Sequence, residues 1–253
     1  MNVRTVRLPL LLIALSLVVA ACGNDVTPSP TGVPATTDTP TGLTAGQLAD
    51  RIATGWLEID RYRAVTTTQH DGTPMAGSPV TEAIEEVILP NQRHQLVLVD
   101  GVEQSEIVAA GGNIYGRGTT LPGIEQPNRD PNVWITINGN VLGPNNSFSG
   151  FYQSLLLPVQ PPYAGLSDDD RAKPAEELGS TEIGGRTCQQ YRIVDTTLTG
   201  TRVEVTLSLA DNGLVCAIET RSGNSVTSTI YTYDQPAQID LPASPVPAPA
   251  ENG

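Results

Sequence analysis

Side chains suited to acid–base or metal chemistry are few in this sequence and widely spaced. Its two histidines, His70 and His94, fall in separate segments, and neither belongs to an H-E-x-x-H pattern. No G-x-S-x-G or C-x-x-C pattern is present either, so the local arrangements typical of zinc proteases, serine hydrolases and redox dithiols are missing. We therefore predict that the protein is not an enzyme and uses neither a metal nor an organic cofactor.

Asp168-Asp169-Asp170 is the longest acidic run in the chain. A calcium loop of the EF-hand type needs oxygen ligands at spaced positions around a glycine, and this run has neither feature. Ser167 precedes the three aspartates, and a serine followed by acidic residues is typical of a helix N-terminus. The run therefore predicts the start of a helix rather than a cation site.

The N-terminus combines two arginines, an apolar segment and a cysteine. The apolar segment, Leu8–Val19, is shorter than a membrane span of ~20 residues and has the length of a signal-peptide core. Val19-Ala20-Ala21-Cys22 resembles the bacterial lipobox, in which the chain is cut before a cysteine that then carries lipid. We predict a signal peptide over residues 1–21 and an extracytoplasmic protein that is lipid-anchored to the bacterial cell membrane through Cys22. The alternative is an ordinary secretory signal with an incidental cysteine.

Low-complexity segments flank a single candidate domain. Residues 22–42 are rich in Thr, Pro and Gly, lack hydrophobic periodicity, and predict a flexible tether. Residues 242–253 are rich in Pro and Ala and predict a disordered tail. Residues 43–241 remain, which is a suitable length for one β-rich domain.

The chain is acidic, with 27 Asp and Glu against 14 Lys and Arg and a formal charge of −13. Loss of the predicted signal peptide removes two arginines and brings the charge near −15. Nucleic-acid binding requires basic patches that neutralise phosphate, so we predict no nucleic-acid partner. Binding flat to anionic lipid headgroups is disfavoured for the same reason, which leaves the acylated cysteine as the membrane contact.

Cys188 and Cys216 form an even pair once Cys22 is lipidated, and export to an oxidising compartment favours a disulfide between them. A simple meander of the strands Thr187–Val194, Arg202–Leu209 and Leu214–Arg221 raises a difficulty, because one strand then separates the two cysteines. Strand spacing puts them ~9–10 Å apart, beyond disulfide reach. The bond then needs a different pairing or a bend, and a reactive thiol pair is the alternative.

Hydrophobic periodicity predicts one helix at the start of the domain, followed by strands. Thr44 is a suitable N-cap and Gln47 completes a capping box, so we predict a helix over Ala45–Glu58. Its apolar residues recur at helical spacing and are expected in the core: Leu48, Ile52, Trp56 and Ile59.

After this helix the periodicity changes to short segments rich in β-branched residues and separated by turn sequences. The loop-rich region Leu121–Glu177 interrupts them and contains Trp134 and a predicted short helix, Phe151–Leu157. The predicted strands, which suit an antiparallel sheet with one buried face, are Tyr62–His70, Glu82–Leu89, Arg93–Val99, Gln104–Ala110, Asn113–Arg117, Thr187–Val194, Arg202–Leu209, Leu214–Arg221 and Val226–Tyr233.

Three segments, in this order along the chain, resemble a known family. Gly112-Asn113-Ile114-Tyr115-Gly116-Arg117 is similar to a hairpin that leads towards a tryptophan. Leu178–Tyr191 resembles a glycine turn into a strand that carries a tyrosine, and Tyr233–Pro242 resembles a closing strand end. With the lipobox, the tether and the early helix, they resemble the LolA/LolB-like lipoprotein superfamily, nearest the LprG/LppX-type bacterial lipoproteins.

The resemblance implies a mainly β (α+β) fold, in which a curved antiparallel sheet forms a half-open β-barrel around a few helices. In that family the concave apolar face binds acyl chains, so residues 43–241 are expected to bind a lipid or acylated ligand in lipid or lipoprotein trafficking at the cell envelope. No protein partner is indicated. The alternative is a structural or accessory envelope protein that has a filled core and acts through protein–protein contacts.

Inward-facing aliphatic residues of the predicted strands are the candidates for lining such a cavity. For each of them the alternative is ordinary core packing, which is the simpler interpretation of any one residue. The six candidates are Val87, Leu89, Leu96, Leu98, Val205 and Leu207.

Overall fold

A single sheet of twelve strands dominates the part of the chain that the computed structural model describes, namely residues 42–70, 80–124, 130–137, 147–196, 200–236 and 238–247. The predicted signal peptide (1–21), Cys22 and the tether up to residue 41 lie outside the described residues, as do residues 248–253 of the predicted tail. The fold is mainly β, which confirms the predicted class.

Within the described residues, three helices accompany the twelve strands. The helices are α1 (Ala45–Trp56), α2 (Ser149–Leu155) and α3 (Asp168–Arg171). The strands are β1 (Arg61–His70), β2 (Thr81–Ile88), β3 (Gln92–Val99), β4 (Val102–Ala110), β5 (Asn113–Gly118), β6 (Ile135–Ile137), β7 (Glu176–Ile183), β8 (Arg186–Thr196), β9 (Arg202–Leu209), β10 (Val215–Ser222), β11 (Ser225–Tyr233) and β12 (Val246–Pro247).

The strand order across the sheet is β12-β6-β5-β4-β3-β2-β1-β11-β10-β9-β8-β7. Neighbours are antiparallel except for the short parallel pair of β12 with β6. The sheet therefore consists of two continuous meanders, β1–β6 and β7–β11, which meet where β1 pairs with β11. The outer strands β12 and β7 do not pair with each other, so the sheet stays open, as the predicted half-open barrel requires.

Helix α1 begins where the capping box predicted it. The Thr44 hydroxyl accepts a hydrogen bond from the backbone N–H of Gln47 at 3.3 Å, and the Gln47 side chain accepts one from the N–H of Thr44 at 2.8 Å. The helix ends at Trp56, two residues before the predicted end. Its apolar stripe is buried against the sheet, as periodicity predicted.

The two shorter helices also start near their predicted positions. Helix α2 covers Ser149–Leu155 instead of the predicted Phe151–Leu157. Ser167 caps α3 by accepting a hydrogen bond from the N–H of Asp170 at 3.2 Å. The acidic run therefore occupies a helix N-terminus, where its charge is favourable.

The sheet has two distinct faces, because directly paired residues point to the same side and successive residues to opposite sides. Tyr62 and Ala64 of β1 share a buried cluster with Trp56 of α1, which identifies the side of the sheet that carries the helices. We call this the helix-side face. The other side is called the open face.

Three buried clusters lie on the helix-side face. In the first, Leu48 and Ile52 of α1 pack against Tyr191 and Leu207. In the second, Tyr152 and Leu155 of α2 pack against strands β4, β5 and β6. The third joins Trp56 at the end of α1 to β1, β2 and β11. Each meander thus has its own helix, and α1 also reaches the ends of β1, β2 and β11 through Trp56. The other ends of these central strands belong to none of the three buried clusters.

Strands β6, β7 and β12 were not predicted. Strand β6 has only three residues and β12 only two, which is too short for a period-2 signal. Strand β7 is an edge strand whose side chains are mostly exposed and polar, so the apolar alternation that marks a half-buried strand is missing. Within the tail predicted to be disordered, Val246–Pro247 pair with Ile135 and Thr136 through main-chain hydrogen bonds.

The structure contains the Cys188–Cys216 disulfide, with the two Cα atoms 6.5 Å apart. The expected separation of ~9–10 Å assumed a regular third strand between the cysteines. Strand β9 ends at Leu209, which pairs with Gln189, so Cys188 lies one residue beyond that strand. Cys216 lies at the register shift between β9 and β10. These two irregularities bring the Cα atoms within disulfide reach.

Candidate functional site

Small and aliphatic side chains occupy the helix-side face of the central strands, between the clusters that belong to α1 and α2. Strand pairing places them in two adjacent rows, and most are half-buried. We call this surface the central floor. Its members are Thr66 and Thr68 of β1, Ala83 and Thr81 of β2, Val97 and Val99 of β3, Thr227 and Thr229 of β11, Ile218 and Thr220 of β10, and Val205 of β9.

Threonine pairs give the central floor its shape. The hydroxyls of Thr66 and Thr229 are 2.9 Å apart, and those of Thr68 and Thr227 are 3.2 Å apart, so each pair satisfies its polar atoms across β1 and β11. The remaining surface of these side chains is methyl. Small side chains at the middle of the sheet occupy less volume than large aliphatic side chains would at the same positions.

The six predicted lining residues do not share one environment. Val87 and Leu207 are 0% and 1% exposed and belong to packed clusters, and Leu89 packs against the cluster of Val87. Val205 is half-buried and lies at the border of the central floor, because it pairs with Ile193 and Thr220. Of the six residues, Val205 alone belongs to this surface.

The prediction that Leu96 and Leu98 line the same face is wrong. Leu96 pairs with Ile84 and Leu98 with Glu82, whereas Val87 pairs with Arg93. The even-numbered residues of β3 therefore lie on the open face. The sequence shows that β3 contains apolar residues, but not whether its odd- or even-numbered residues lie beside the buried residues of β2. A shift of one residue in the pairing exchanges the two faces.

A cluster of polar side chains, which we call the polar group, adjoins the central floor at the end near α2 and was not predicted. Its members are Tyr62, Glu85, Arg93 and Gln95. Glu85 accepts a hydrogen bond from the Tyr62 hydroxyl at 3.2 Å and another from the Gln95 amide at 3.1 Å. Arg93 lies one pair further along the same face and donates to the backbone carbonyl of Leu157 at 3.1 Å. The sequence shows polar residues in the first half of β3 and in the middle of β2, but only register shows that these side chains share a face.

A second tyrosine, Tyr231, lies beside Tyr62 of this polar group. Tyr62 and Tyr231 have ring centroids 5.9 Å apart, and Tyr62 lies 5.2 Å from Trp56. Burial raises the pKa of Tyr62, the Glu85 carboxylate raises it further, and the positive charge of Arg93 acts in the opposite direction. Burial also raises the pKa of Tyr163 and of Tyr231, so these hydroxyls stay protonated and remain available as hydrogen-bond donors.

The open face carries a separate ionic network centred on His94. Its Nδ1 is 2.8 Å from a Glu86 oxygen and its Nε2 is 2.8 Å from a Glu106 oxygen. Arg63 lies 3.5 Å from Glu86, and Arg117 pairs with Glu106. Because ionised carboxylates only accept hydrogen bonds, His94 satisfies both contacts only when both ring nitrogens carry a proton.

The network shifts two pKa values in opposite directions. The hydrogen bond with Glu106 raises the pKa of His94 from its ordinary 6.5, burial opposes this rise, and the hydrogen bond with Glu86 adds to it. The hydrogen bond with His94 lowers the pKa of Glu106 from its ordinary 4.5, and Arg117 lowers it further against the effect of burial. Both His94 and Glu106 are therefore charged between about pH 4.5 and pH 6.5, the ordinary pKa values of the two groups.

We expect stability to depend on pH through His94. A raised folded-state pKa means that the stabilisation is complete below about pH 6.5 and is lost as the pH rises through the folded-state value. His94→Gln should therefore cost on the order of 1 kcal/mol at about pH 6 and much less at about pH 9. Chemical unfolding of both proteins at a series of pH values measures this. Glu106→Gln should remove part of the same pH dependence, and parallel wild-type and His94→Gln profiles would contradict the assignment.

A shallow groove of about 210 Å³ also lies on the open face. Its size is below the ~300 Å³ at which ligand pockets usually begin. Its walls combine polar and aliphatic side chains: Ile183, Gln190, Thr206, Ser208, Ala217, Glu219, Ser228 and Ile230.

The described residues contain no group of three or more His, Cys, Asp or Glu side chains arranged to hold a metal ion. None of their helices has both the length and the apolar composition that crossing a membrane requires.

Comparison with known proteins identifies the fold. No protein-family model and no curated sequence matches the chain. Among solved structures, the lipoprotein LppX of Mycobacterium tuberculosis matches with a TM-score of 0.50 at 11% identity, over 78% of this chain and 100% of LppX. The chain has an LppX-like fold.

Other solved structures are similar at lower scores. LprF from Mycobacterium bovis has a TM-score of 0.45 at 9% identity, over 80% of this chain and 100% of LprF. A LolA superfamily protein from Nitrosomonas europaea has a TM-score of 0.25 at 9% identity, over 79% of this chain and 96% of that protein. At such identities the likeness concerns the fold alone. The predicted resemblance, nearest the LppX type, is confirmed at that level.

Proposed function

We propose that this protein is a bacterial lipoprotein whose domain binds an acyl chain on the central floor. One observation carries the proposal: the central strands of an LppX-like sheet keep small, half-buried side chains on the helix-side face, while the strands on both sides are packed by α1 and α2. A sheet that served only as a scaffold would be expected to fill this position with large aliphatic residues.

The dimensions of the surface suit a chain-like ligand. The two rows of the central floor run across six neighbouring strands, from β9 to β3, which is ~24 Å at the spacing between strands. Burying an acyl chain contributes ~0.8 kcal/mol for each methylene group, so affinity requires no catalytic or metal-binding residue. The threonine methyl groups and the flanking aliphatic side chains supply the apolar contacts.

The N-terminus completes the proposal. Lipidation of Cys22 after removal of residues 1–21 would hold the domain at the outer side of the cell membrane through a tether of about 20 residues. By random-coil scaling the reach of this tether is on the order of 25 Å. Binding of lipid or of an acylated ligand would then take place near the membrane surface, in lipid or lipoprotein trafficking at the cell envelope.

Adjacent threonines of β1 provide a matched test. Thr66 faces the central floor and Thr67 faces the open side, so tryptophan at the two positions adds the same bulk to opposite faces. We expect Thr66→Trp to weaken the binding of 1-hexadecanol at least ~10-fold, which corresponds to ~1.4 kcal/mol or the loss of about two buried methylene groups. Thr67→Trp should bind like the wild type.

Native mass spectrometry of the purified chain with added 1-hexadecanol measures the bound fraction in each variant. Thermal unfolding of both variants controls for loss of structure. A wild-type chain that binds no hexadecanol, or equal weakening by both substitutions, would overturn the assignment to the central floor.

A further inference from the structure

We infer that Arg93 is the receptor for an oxyanion on the ligand, so that the ligand is an anionic amphiphile with a carboxylate or phosphate beside its acyl chain. This inference rests on the proposed acyl-chain site and adds the chemical class of the head group. It also gives the ligand a direction, with its charged end at Arg93 and its chain along the central floor.

Arg93 lies on the same face as the central floor. It pairs with Val87 of β2 and Ala109 of β4, both buried on the helix side, and Gln95 and Val97 follow it on that face. Its side chain is half-buried. The guanidinium group is therefore held at the polar end of the surface that is proposed to bind the acyl chain.

The guanidinium group is only partly satisfied within the described structure. One terminal nitrogen donates to the carbonyl of Leu157 at 3.1 Å. The Nε atom is buried and has no hydrogen-bond partner among the described residues. A shielded donor without an acceptor is unfavourable in the free protein, and an oxyanion can accept from Nε and a terminal nitrogen together in a bidentate pair.

Arg93 differs from the other arginines in the described part of the chain. Seven of them have a carboxylate oxygen within 3.5 Å: Arg61, Arg63, Arg117, Arg171, Arg192, Arg202 and Arg221. Arg51 and Arg186 lie over the rings of Tyr191 and Tyr233. In a chain with nearly twice as many acidic as basic residues, a half-buried arginine without either kind of partner points to an anion that comes from outside.

Glu85 is the nearest acidic group on this face and has other partners. Its two oxygens accept from Tyr62 and from Gln95, and no contact within 4.0 Å joins it to Arg93. Tyr231 lies in the same row of the helix-side face as Glu85, and its hydroxyl stays protonated because burial raises its pKa. This face thus carries one positive charge and a neutral hydroxyl donor.

Four probes separate the contributions of charge and chain in the full-length protein. Palmitate carries a carboxylate, hexadecyl phosphate carries a phosphate, 1-hexadecanol has the chain without the charge, and inorganic phosphate has the charge without the chain. We expect the wild type to bind the better of the two anionic amphiphiles at least ~10-fold more tightly than hexadecanol, since charge-assisted bidentate pairs are the strong ones. Whichever of the two binds more tightly identifies the head group.

Arg93→Gln should abolish this preference by weakening the binding of both anionic amphiphiles to the level of hexadecanol, and Arg93→Lys should retain part of it. Arg63→Gln is the matched control, because Arg63 lies on the open face and already pairs with Glu86. A preference that persists in Arg93→Gln, or that is absent in the wild type, would overturn the inference and leave the acyl-chain site standing. Inorganic phosphate that binds as tightly as hexadecyl phosphate would overturn the amphiphile assignment. If none of the three amphiphiles binds, the proposed function fails as well.

Discussion

Replacement of both disulfide cysteines, Cys188→Ala with Cys216→Ala, should lower the free energy of unfolding by ~3.5 kcal/mol. The bond closes a chain segment of 28 residues. In the chain-entropy description, opening a loop of this length returns that much conformational freedom to the unfolded state. Both side chains are at most 3% exposed, so the small volume lost at each alanine adds to the cost.

Urea unfolding of the oxidised wild type and of the double variant measures this difference. The wild type under strong reducing conditions is the internal control, and its unfolding midpoint should approach that of the variant. A difference below ~1 kcal/mol would mean that the strands around Leu214 and Val215 are held by packing against α1 alone.

The second large effect is expected at Gly213, in the turn between β9 and β10. Its φ of +84° lies in the left-handed region, and an added Cβ would be 2.3 Å from the carbonyl oxygen of Arg51 in α1. Gly55 of the same helix also approaches the turn closely, because a Cβ there would be 2.7 Å from the carbonyl oxygen of Asn212. Alanine at Gly213 should therefore force α1 away from the sheet and cost at least ~3 kcal/mol.

Gly223 is a matched control for this substitution. It lies in the next hairpin turn with a φ of +56°, and nothing lies within 4 Å of an added Cβ. Gly223→Ala should cost only the ~1 kcal/mol of left-handed backbone strain. If chemical unfolding shows that both alanine variants lose the same free energy of unfolding, the contact between α1 and the β9–β10 turn is not tightly packed.

The parts of the fold that were predictable from the sequence are those specified by local chemistry. The capping box at Thr44 and the alternation in β9 determine their own structure, because the relevant interactions lie within a few residues. Strand β7 could not be found in this way, since its stability comes from main-chain pairing with β8 and its side chains carry no apolar pattern.

The candidate site was less predictable because it depends on register. Val205 could be assigned as an apolar residue of a strand, but so could Leu96, and the two lie on opposite faces. The polar residues Arg93 and Glu85 gave no signal of their own, since charged side chains in strands usually face solvent. Only the pairing of β2 with β3 shows that they share a face with the central floor.

The junction of the two meanders has a consequence for how the protein assembles and opens. The hydroxyl pair Thr66–Thr229 joins residues 163 positions apart, whereas each meander is built almost entirely from neighbouring hairpins. Closing so long a loop is slow compared with forming hairpins, so the pairing of β1 with β11 is expected to form late in folding. The central floor straddles that seam. A ligand bound there would favour the state in which β1 and β11 are paired, by mass action. In the protein without ligand, the backbone amides that join β1 to β11 should exchange their hydrogens before those within either meander.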